Sequence, residues 1–284
     1  MQLTDYGENK LVDFTRGVAL PLTANLNIGL LTAVADGSFT EVSWPGYARL
    51  TLARNLTNWS GTQGPGTVNA STGASHQTSN NTEWDFGTAG GAATVVAIGV
   101  FTGTDLFCWA PLASPVDYAN GDPVTVPAGA TVFTLGVTGG LSDFASNRLI
   151  DLIFRGQAFS WPANVFVRLM TAPPSNAGGG TEVAPGGGYT SQSVSSSLTA
   201  WSGTQGPGST TASNGTSGRT SNNAEIVYPT PTTSWGTVGH VAISDSAGVG
   251  SNLLYWRAMD APRSIVGGGP APRFGANDLG VTFS

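Results

Sequence analysis

An eight-residue segment occurs twice in this chain without a single change. WSGTQGPG spans residues 59–66 and again residues 201–208, and the tetrapeptide TSNN follows at the same separation, at residues 78–81 and 220–223. Because the repeated segment holds a Trp and a Gln at fixed places, it is not an accident of Gly- and Ser-rich text. The chain is therefore predicted to be a tandem duplication, with a first domain at residues 1–138 and a second at residues 139–284.

Shorter matches extend the duplication over most of the chain. LTDY at 3–6 matches LSDF at 141–144, KLVD at 10–13 matches RLID at 148–151, and DLFCW at 105–109 matches NLLYW at 252–256. Each copy has the usual size of a domain and is long enough to bury a core.

Each copy is predicted to begin with one helix. Thr4 or Ser142 stands where an N-cap is expected, an Asp lies in the first turn, and apolar residues follow at spacings of three and four. Gly17 and Gly156 are typical of helix ends.

The rest of each copy indicates strands separated by Gly, Pro, Ser and Asn clusters. Apolar residues alternate at 26–30 and 165–169, and the other strand candidates are 94–101, 106–109, 131–135, 238–243, 253–256 and 279–283. No helices alternate with the strands. The predicted fold is mainly β, as two tandem β-sandwich domains, each opened by one short N-terminal α-helix.

Composition narrows the possible partners. Charged residues make up 10% of the chain and the formal net charge is −6, with a pI near 4.7, so there is no basic stripe to follow a phosphate backbone. No uninterrupted apolar stretch is long enough for a transmembrane helix, and the first residues do not resemble a secretory signal. We therefore expect no nucleic-acid or membrane partner and assembly in a cytoplasm.

The repeated octapeptide permits two interpretations. Gly61, Gly64 and Gly66 allow positive φ, and Pro65 fixes its own φ. In the first interpretation, the two Trp residues anchor a long loop to the sandwich. In the second, the loop is a contact surface, since Trp is favoured at interface hot spots. The candidate interaction residues are Trp59, Gln63, Pro65, Trp201, Gln205 and Pro207.

The titratable residues do not form a recognisable catalytic or metal-binding pattern. His76 and His240 fall at different places in the two copies, which argues against a duplicated active site. Cys108 lies in an apolar run and is predicted to be a buried, inert thiol. Asp5 and Asp143 suit helix N-termini, Asp13 and Asp151 are expected to face solvent, and Glu83 and Glu225 to cap a loop. We predict no catalytic residues, no metal and no cofactor.

The second copy resembles a family of tailed-bacteriophage virion proteins. The resemblance is carried by LSDFASNRLID from residue 141, VFVRLMTAPP from 165, the phrases GTEV at 180–183 and GGY at 187–189, SWGTVGHVAI from 234 and NLLYW from 252. The first copy keeps these phrases only in part. Members are described as tail-fibre-like or structural, so the resemblance implies a particle component in the virion and brings no catalytic residues.

Two functions follow as hypotheses. The favoured one is a non-enzymatic virion structural protein, present in many copies as a symmetric oligomer, that decorates the capsid or builds a neck or tail appendage and binds other virion proteins. Duplication fits this use, because two contact sites on one chain raise avidity. The alternative is a host receptor- or glycan-binding module in which exposed Trp and Asn side chains contact sugars.

Overall fold

The computed structural model of the protein describes residues 2–283, apart from residues 36, 136, 139 and 249. Residue 139, with which the predicted second domain begins, lies outside the described residues. The boundary between residues 138 and 139 therefore stays a prediction.

The described chain is mainly β, with two helices, as the sequence predicts. We call the first copy of the duplication repeat 1 and the second copy repeat 2. In repeat 1, the elements are β1 (Gln2–Leu3), α1 (Asp5–Thr15), β2 (Asn25–Ala35), β3 (Ser38–Glu41), β4 (Leu50–Ala53), β5 (Gln77–Ser79), β6 (Trp84–Thr88), β7 (Ala93–Thr102), β8 (Asp105–Tyr118), β9 (Pro123–Val126) and β10 (Val132–Thr134). They are followed by β11 (Val137–Thr138), α2 (Asp143–Ile153), β12 (Asn164–Ala172), β13 (Thr181–Glu182), β14 (Gln192–Ser195), β15 (Arg219–Ser221), β16 (Ile226–Val227), β17 (Gly236–Ser244), β18 (Leu253–Ile265), β19 (Arg273–Phe274) and β20 (Gly280–Phe283).

Each repeat is built around one large antiparallel sheet. In repeat 1 the strand order is β1-β8-β7-β2-β3, with β4 also paired to β2, and in repeat 2 it is β13-β12-β17-β18, with β14 also paired to β12. A separate two-stranded sheet accompanies each large one, β6 with β9 and β16 with β19. Apolar side chains of both sheets lie in common clusters, so each repeat has two β layers.

Both helices begin and end where the sequence predicts. The Thr4 hydroxyl accepts a hydrogen bond from the Gly7 amide at 3.2 Å, and the Ser142 hydroxyl accepts one from the Ala145 amide at 3.1 Å. Gly17 and Gly156 have φ values of 82° and 66° just beyond the helix ends. These left-handed conformations favour glycine, and they end the two helices.

The two repeats share the largest part of their hydrophobic core, and each also has a smaller cluster of its own. The largest cluster of buried side chains contains residues of both repeats. Phe14 at the end of α1 meets Trp161 of repeat 2 with ring centroids 6.0 Å apart, and Phe154 after α2 meets Trp59 of repeat 1 at 5.0 Å. The end of each helix therefore packs on the opposite repeat.

Candidate functional site

The two octapeptide loops lie at the junction between the repeats. Trp59 is fully buried, and its ring meets Trp84 of its own repeat at 5.5 Å. Trp201 is 5% exposed, and its indole N–H donates to the Ser195 carbonyl at 3.1 Å. Burial of both indoles is what anchoring requires and leaves neither ring available to a partner.

The tips of the same loops are exposed. Gln63 and Pro65 in one loop, and Gln205 and Pro207 in the other, lie at the surface. A contact role for these four residues stays a prediction.

Glycine is required in these loops for two different reasons. Gly64 and Gly206 both have φ of 128°, a conformation that L side chains rarely adopt. Gly61 does not use positive φ; a Cβ there would lie 2.3 Å from the Gln63 side-chain oxygen and 3.1 Å from a guanidinium nitrogen of Arg155. At Gly61 a side chain is therefore excluded by lack of space, between Gln63 of the same loop and Arg155 of the other repeat.

The repeated TSNN tetrapeptide holds the octapeptide in shape. The Thr78 hydroxyl donates to the Ser60 carbonyl at 2.7 Å, and the Ser79 amide donates to the Ser60 hydroxyl at 2.8 Å. Further along, the Gly66 amide donates to the Asn81 side chain at 2.8 Å. The second repeat reproduces these bonds with the corresponding residues, at 2.7, 2.9 and 3.0 Å. The two segments therefore recur together because they form one hydrogen-bonded unit.

A buried arginine of repeat 2 binds the loop of repeat 1. Arg155 is fully buried and donates from Nε to the Trp59 carbonyl at 3.0 Å and from Nη2 to the Asn69 carbonyl at 2.5 Å. Its Nη1 donates to Asp151 at 2.6 Å and to the Ser71 hydroxyl at 3.1 Å. The guanidinium thus lies in a ring of oxygen acceptors that matches its planar set of donors.

The helix that precedes Arg155 supplies two more contacts. Asp151 accepts from the Ser71 amide at 2.8 Å and from its hydroxyl at 2.6 Å. Asn147 accepts a hydrogen bond from the Thr62 hydroxyl. We call the contacts of Asn147, Asp151 and Arg155 with residues 59–71 the first helix–loop clasp.

The reciprocal clasp joins the helix of repeat 1 to the loop of repeat 2. Arg16 donates from Nε to the Trp201 carbonyl at 2.9 Å, and from Nη1 to Asp13 at 2.7 Å and to the Ser213 hydroxyl at 3.1 Å. Asp13 accepts from the Ser213 hydroxyl at 2.6 Å, and Asn9 accepts from the Thr204 hydroxyl. The contacts of Asn9, Asp13 and Arg16 with residues 201–213 form the second helix–loop clasp.

The clasps correct the prediction that Asp13 and Asp151 face solvent. These residues are 4% and 2% exposed, because the loop of the other repeat covers the helix face that carries them. Burial lowers the pKa of the Arg16 guanidinium, and the charge of Asp13 opposes that shift.

Sequence reasoning also missed Arg16 and Arg155. Each stands immediately before a predicted helix-ending glycine, three or four residues after the duplicated Asp, in a chain with only 11 Lys and Arg. The recurrence of this arginine in both copies was the sequence signal that could have identified the two residues.

Other titratable residues lie in ordinary structural settings. His76 Nε2 is 2.8 Å from Asp143 at the start of α2, His240 lies on β17, and Cys108 is buried, which raises its thiol pKa to about 12. Within the described ranges, no three His, Cys, Asp or Glu side chains converge in a way that could hold a metal ion. Neither helix of that part of the chain is long and apolar enough to cross a membrane.

The comparison with protein families accounts for both halves of the chain. The model of one family, described as podophage GP4 fiber I protein gp80, matches residues 2–134 and matches again at residues 140–282. The chain belongs to this family. It is thus a phage fibre-family protein with a tandem duplication and a structural component of the virion. No match was found among curated proteins.

Proposed function

We propose that this fibre-family chain is a non-enzymatic part of the phage particle, present in several copies and assembled in the host cytoplasm. It decorates the capsid or forms a neck or tail appendage, and it binds other virion proteins through the exposed loop tips Gln63, Pro65, Gln205 and Pro207. The observation that supports this proposal is the pair of reciprocal clasps, which presents two identical loops from one interlocked body.

The clasps hold the two loops in a fixed conformation, which favours binding to other virion proteins. The backbone of each loop is fixed by a buried guanidinium and by the TSNN segment, so binding orders little additional chain and loses little conformational entropy. Two equal tips on one chain can engage two sites of a symmetric particle, and the second contact is then intramolecular.

The proposal that the chain does not turn over a substrate is supported by the asymmetry of the one His–carboxylate pair found among the described residues, His76 with Asp143. The Leu135 amide donates to the carbonyl of His76, and the Phe283 amide donates to that of Gly218 at the equivalent place in repeat 2. A glycine therefore stands where repeat 1 has its histidine. The pair is not part of the duplicated design, and it joins a loop to the start of α2.

The glycan-binding alternative was based on exposed Trp and Asn side chains. All eight Trp residues are described, and none is exposed; Trp44, Trp109 and Trp256 are half-buried and the other five are buried. This favours protein partners over sugars, and glycan binding becomes an outcome of the test.

The test is incorporation of variants into particles. A chain with Gln63, Pro65, Gln205 and Pro207 all changed to Ala should keep its melting temperature but be reduced in purified virions, measured by mass spectrometry against the major capsid protein. The matched control changes Val68 and Thr210, exposed residues of the same loop regions, to Ala. Equal incorporation of both variants contradicts the loop-tip proposal. Binding of the wild-type chain to a glycan array, lost in the four-residue variant, favours adsorption instead.

A further inference from the structure

Charge is divided unequally between the repeats. Residues 1–138 hold ten Asp and Glu against four Lys and Arg, and residues 139–284 hold seven against seven, which together make up the chain's 17 acidic and 11 basic residues. The whole net charge of −6 therefore belongs to repeat 1. No Lys or Arg occurs between Arg54 and Arg148.

Three acidic residues of repeat 1 lie on β6, on β8 and in the connection that follows β8. Asp85 and Asp117 are exposed, and Asp122 is half-buried in the connection between β8 and β9. Val116, beside Asp117, is 39% exposed. We call these four residues the acidic end.

Repeat 2 contains an open cleft. Its volume is about 650 Å³, and it is bounded by the second half of β18 and the segment 269–274. Apolar side chains line it, namely Leu169, Val238, Val241, Met259, Ile265, Phe274 and Leu279.

Three exposed arginines stand at the rim of this cleft. Arg257 is 3.6 Å from Asp260 and Arg273 is 3.2 Å from Glu225, in exposed ion pairs that contribute little energy. The Arg263 side chain has no hydrogen bond or ion pair to any residue that the structure describes. Asp278 also lines the cleft. Of the three rim arginines, Arg263 is therefore the one whose charge no described carboxylate neutralises in an ion pair.

Strand register shows that the rim arginines are specific to repeat 2. Val116 pairs with Val95 in repeat 1, and Arg263 pairs with Val238 at the equivalent place in repeat 2. By the same comparison, Arg257 stands where repeat 1 has Ala110, and Arg273 stands where it has Thr125. Ser264 stands where repeat 1 has Asp117, and Val227 where it has Asp85. The rim arginines of repeat 2 and the carboxylates Asp85 and Asp117 of repeat 1 thus have no charged counterpart in the other repeat.

We propose that the arginine-rimmed cleft of repeat 2 is the docking site for the acidic end of repeat 1 of a second copy of this chain. Copies then join head to tail, with Val116 against the apolar floor and Asp85 and Asp117 beside the rim arginines. Complementary charge fixes which faces meet. A contact between unlike faces leaves a free face at each end, so its repetition builds a ring or a filament. The inference deepens the proposed function, since it rests on several copies per particle.

The contact between the two copies must be made by side chains and not by pairing of strand backbones. Pro111 and Pro115 lie on β8 and Pro262 lies on β18, and proline removes the amide donors that an added strand needs.

The test is the association state of the purified full-length chain by sedimentation velocity. At roughly 0.05 M salt the chain should associate with rising concentration, and at roughly 0.5 M salt association should weaken, because the charges are exposed and screened. Asp117→Lys and Arg263→Glu should each weaken association at least about tenfold. The control variants Asp105→Lys and Arg148→Glu change equally exposed charges outside both faces and should associate as the wild type does.

Mixing provides the sharpest comparison. Asp117→Lys and Arg263→Glu chains should associate with each other better than either does alone, because each reversal complements the other. Any of three results overturns the proposal. The wild-type chain is monomeric at low salt, the control variants associate as weakly as the test variants, or the mixture associates no better than either variant alone. A monomeric chain that still enters particles contradicts this inference alone, whereas an associating chain absent from particles contradicts only the proposed function.

Discussion

Removing the guanidinium of Arg155 should destabilise the whole chain, because it breaks a buried contact between the repeats. In Arg155→Ala, Asp151 keeps its bonds to Ser71 but loses its counter-ion at 2.6 Å, and the carbonyls of Trp59 and Asn69 lose their donor. Removing one partner of a buried ion pair costs about 3–5 kcal/mol. At about 2–4 °C per kcal/mol for a chain of this size, the melting temperature should fall by roughly 10 °C.

Differential scanning calorimetry measures this loss, and two variants calibrate it. Arg148→Ala removes an exposed arginine from the same helix and should change stability by no more than about 0.5 kcal/mol. Arg16→Ala breaks the reciprocal clasp and should cost about as much as Arg155→Ala. The reasoning is refuted if Arg155→Ala melts within about 2 °C of the wild type, or if Arg148→Ala loses as much.

The remaining predictions concern buried groups and the separated repeats. The Tyr255 hydroxyl is buried with no hydrogen-bond partner among the described residues, so Tyr255→Phe should raise the free energy of unfolding by about 1 kcal/mol in urea titrations. An unchanged or lower free energy of unfolding contradicts this prediction. Burial raises the pKa of the Tyr228 and Tyr255 hydroxyls. The stability that these neutral, buried hydroxyls contribute is complete below the unfolded pKa of about 10 and is lost as the pH rises beyond it. The melting temperature should therefore fall above about pH 10, and it should fall less steeply in Tyr255→Phe. The Cys108 thiol, buried with a pKa of about 12, should react with a thiol reagent only after denaturation, and rapid labelling of native protein is the contrary result. Residues 1–138 alone should form dimers or aggregate, because Asp13 and Arg16 lose the loop that covers them; a stable monomer in light scattering counts against the shared core.

Local sequence signals predicted the helices well. Thr4 and Ser142 cap the helices, and Gly17 and Gly156 end them, because each acts on backbone groups within a few residues. The predicted strand segments overlap β2, β7, β8, β10, β12, β17, β18 and β20. β8 and β18 extend to Tyr118 and Ile265, well beyond their predicted ends at residues 109 and 256, and the short strands such as β6 and β16 were not predicted.

The contacts between repeats could not be predicted from local pattern. A carboxylate on a helix normally faces water, and only the position of a loop far along the chain shows that Asp13 and Asp151 do not. Ser213 is 200 residues from Asp13, and Ser71 is 80 residues from Asp151. The exact duplication of the octapeptide indicated that the loop mattered, but not that its function includes binding an arginine of the other copy.

The most direct test of the claim that this chain is a structural component of the virion is its abundance in purified virions. Quantitative mass spectrometry of gradient-purified particles, calibrated against the major capsid protein, should find several copies per particle that survive salt washing. Particles that lack the chain would contradict the account.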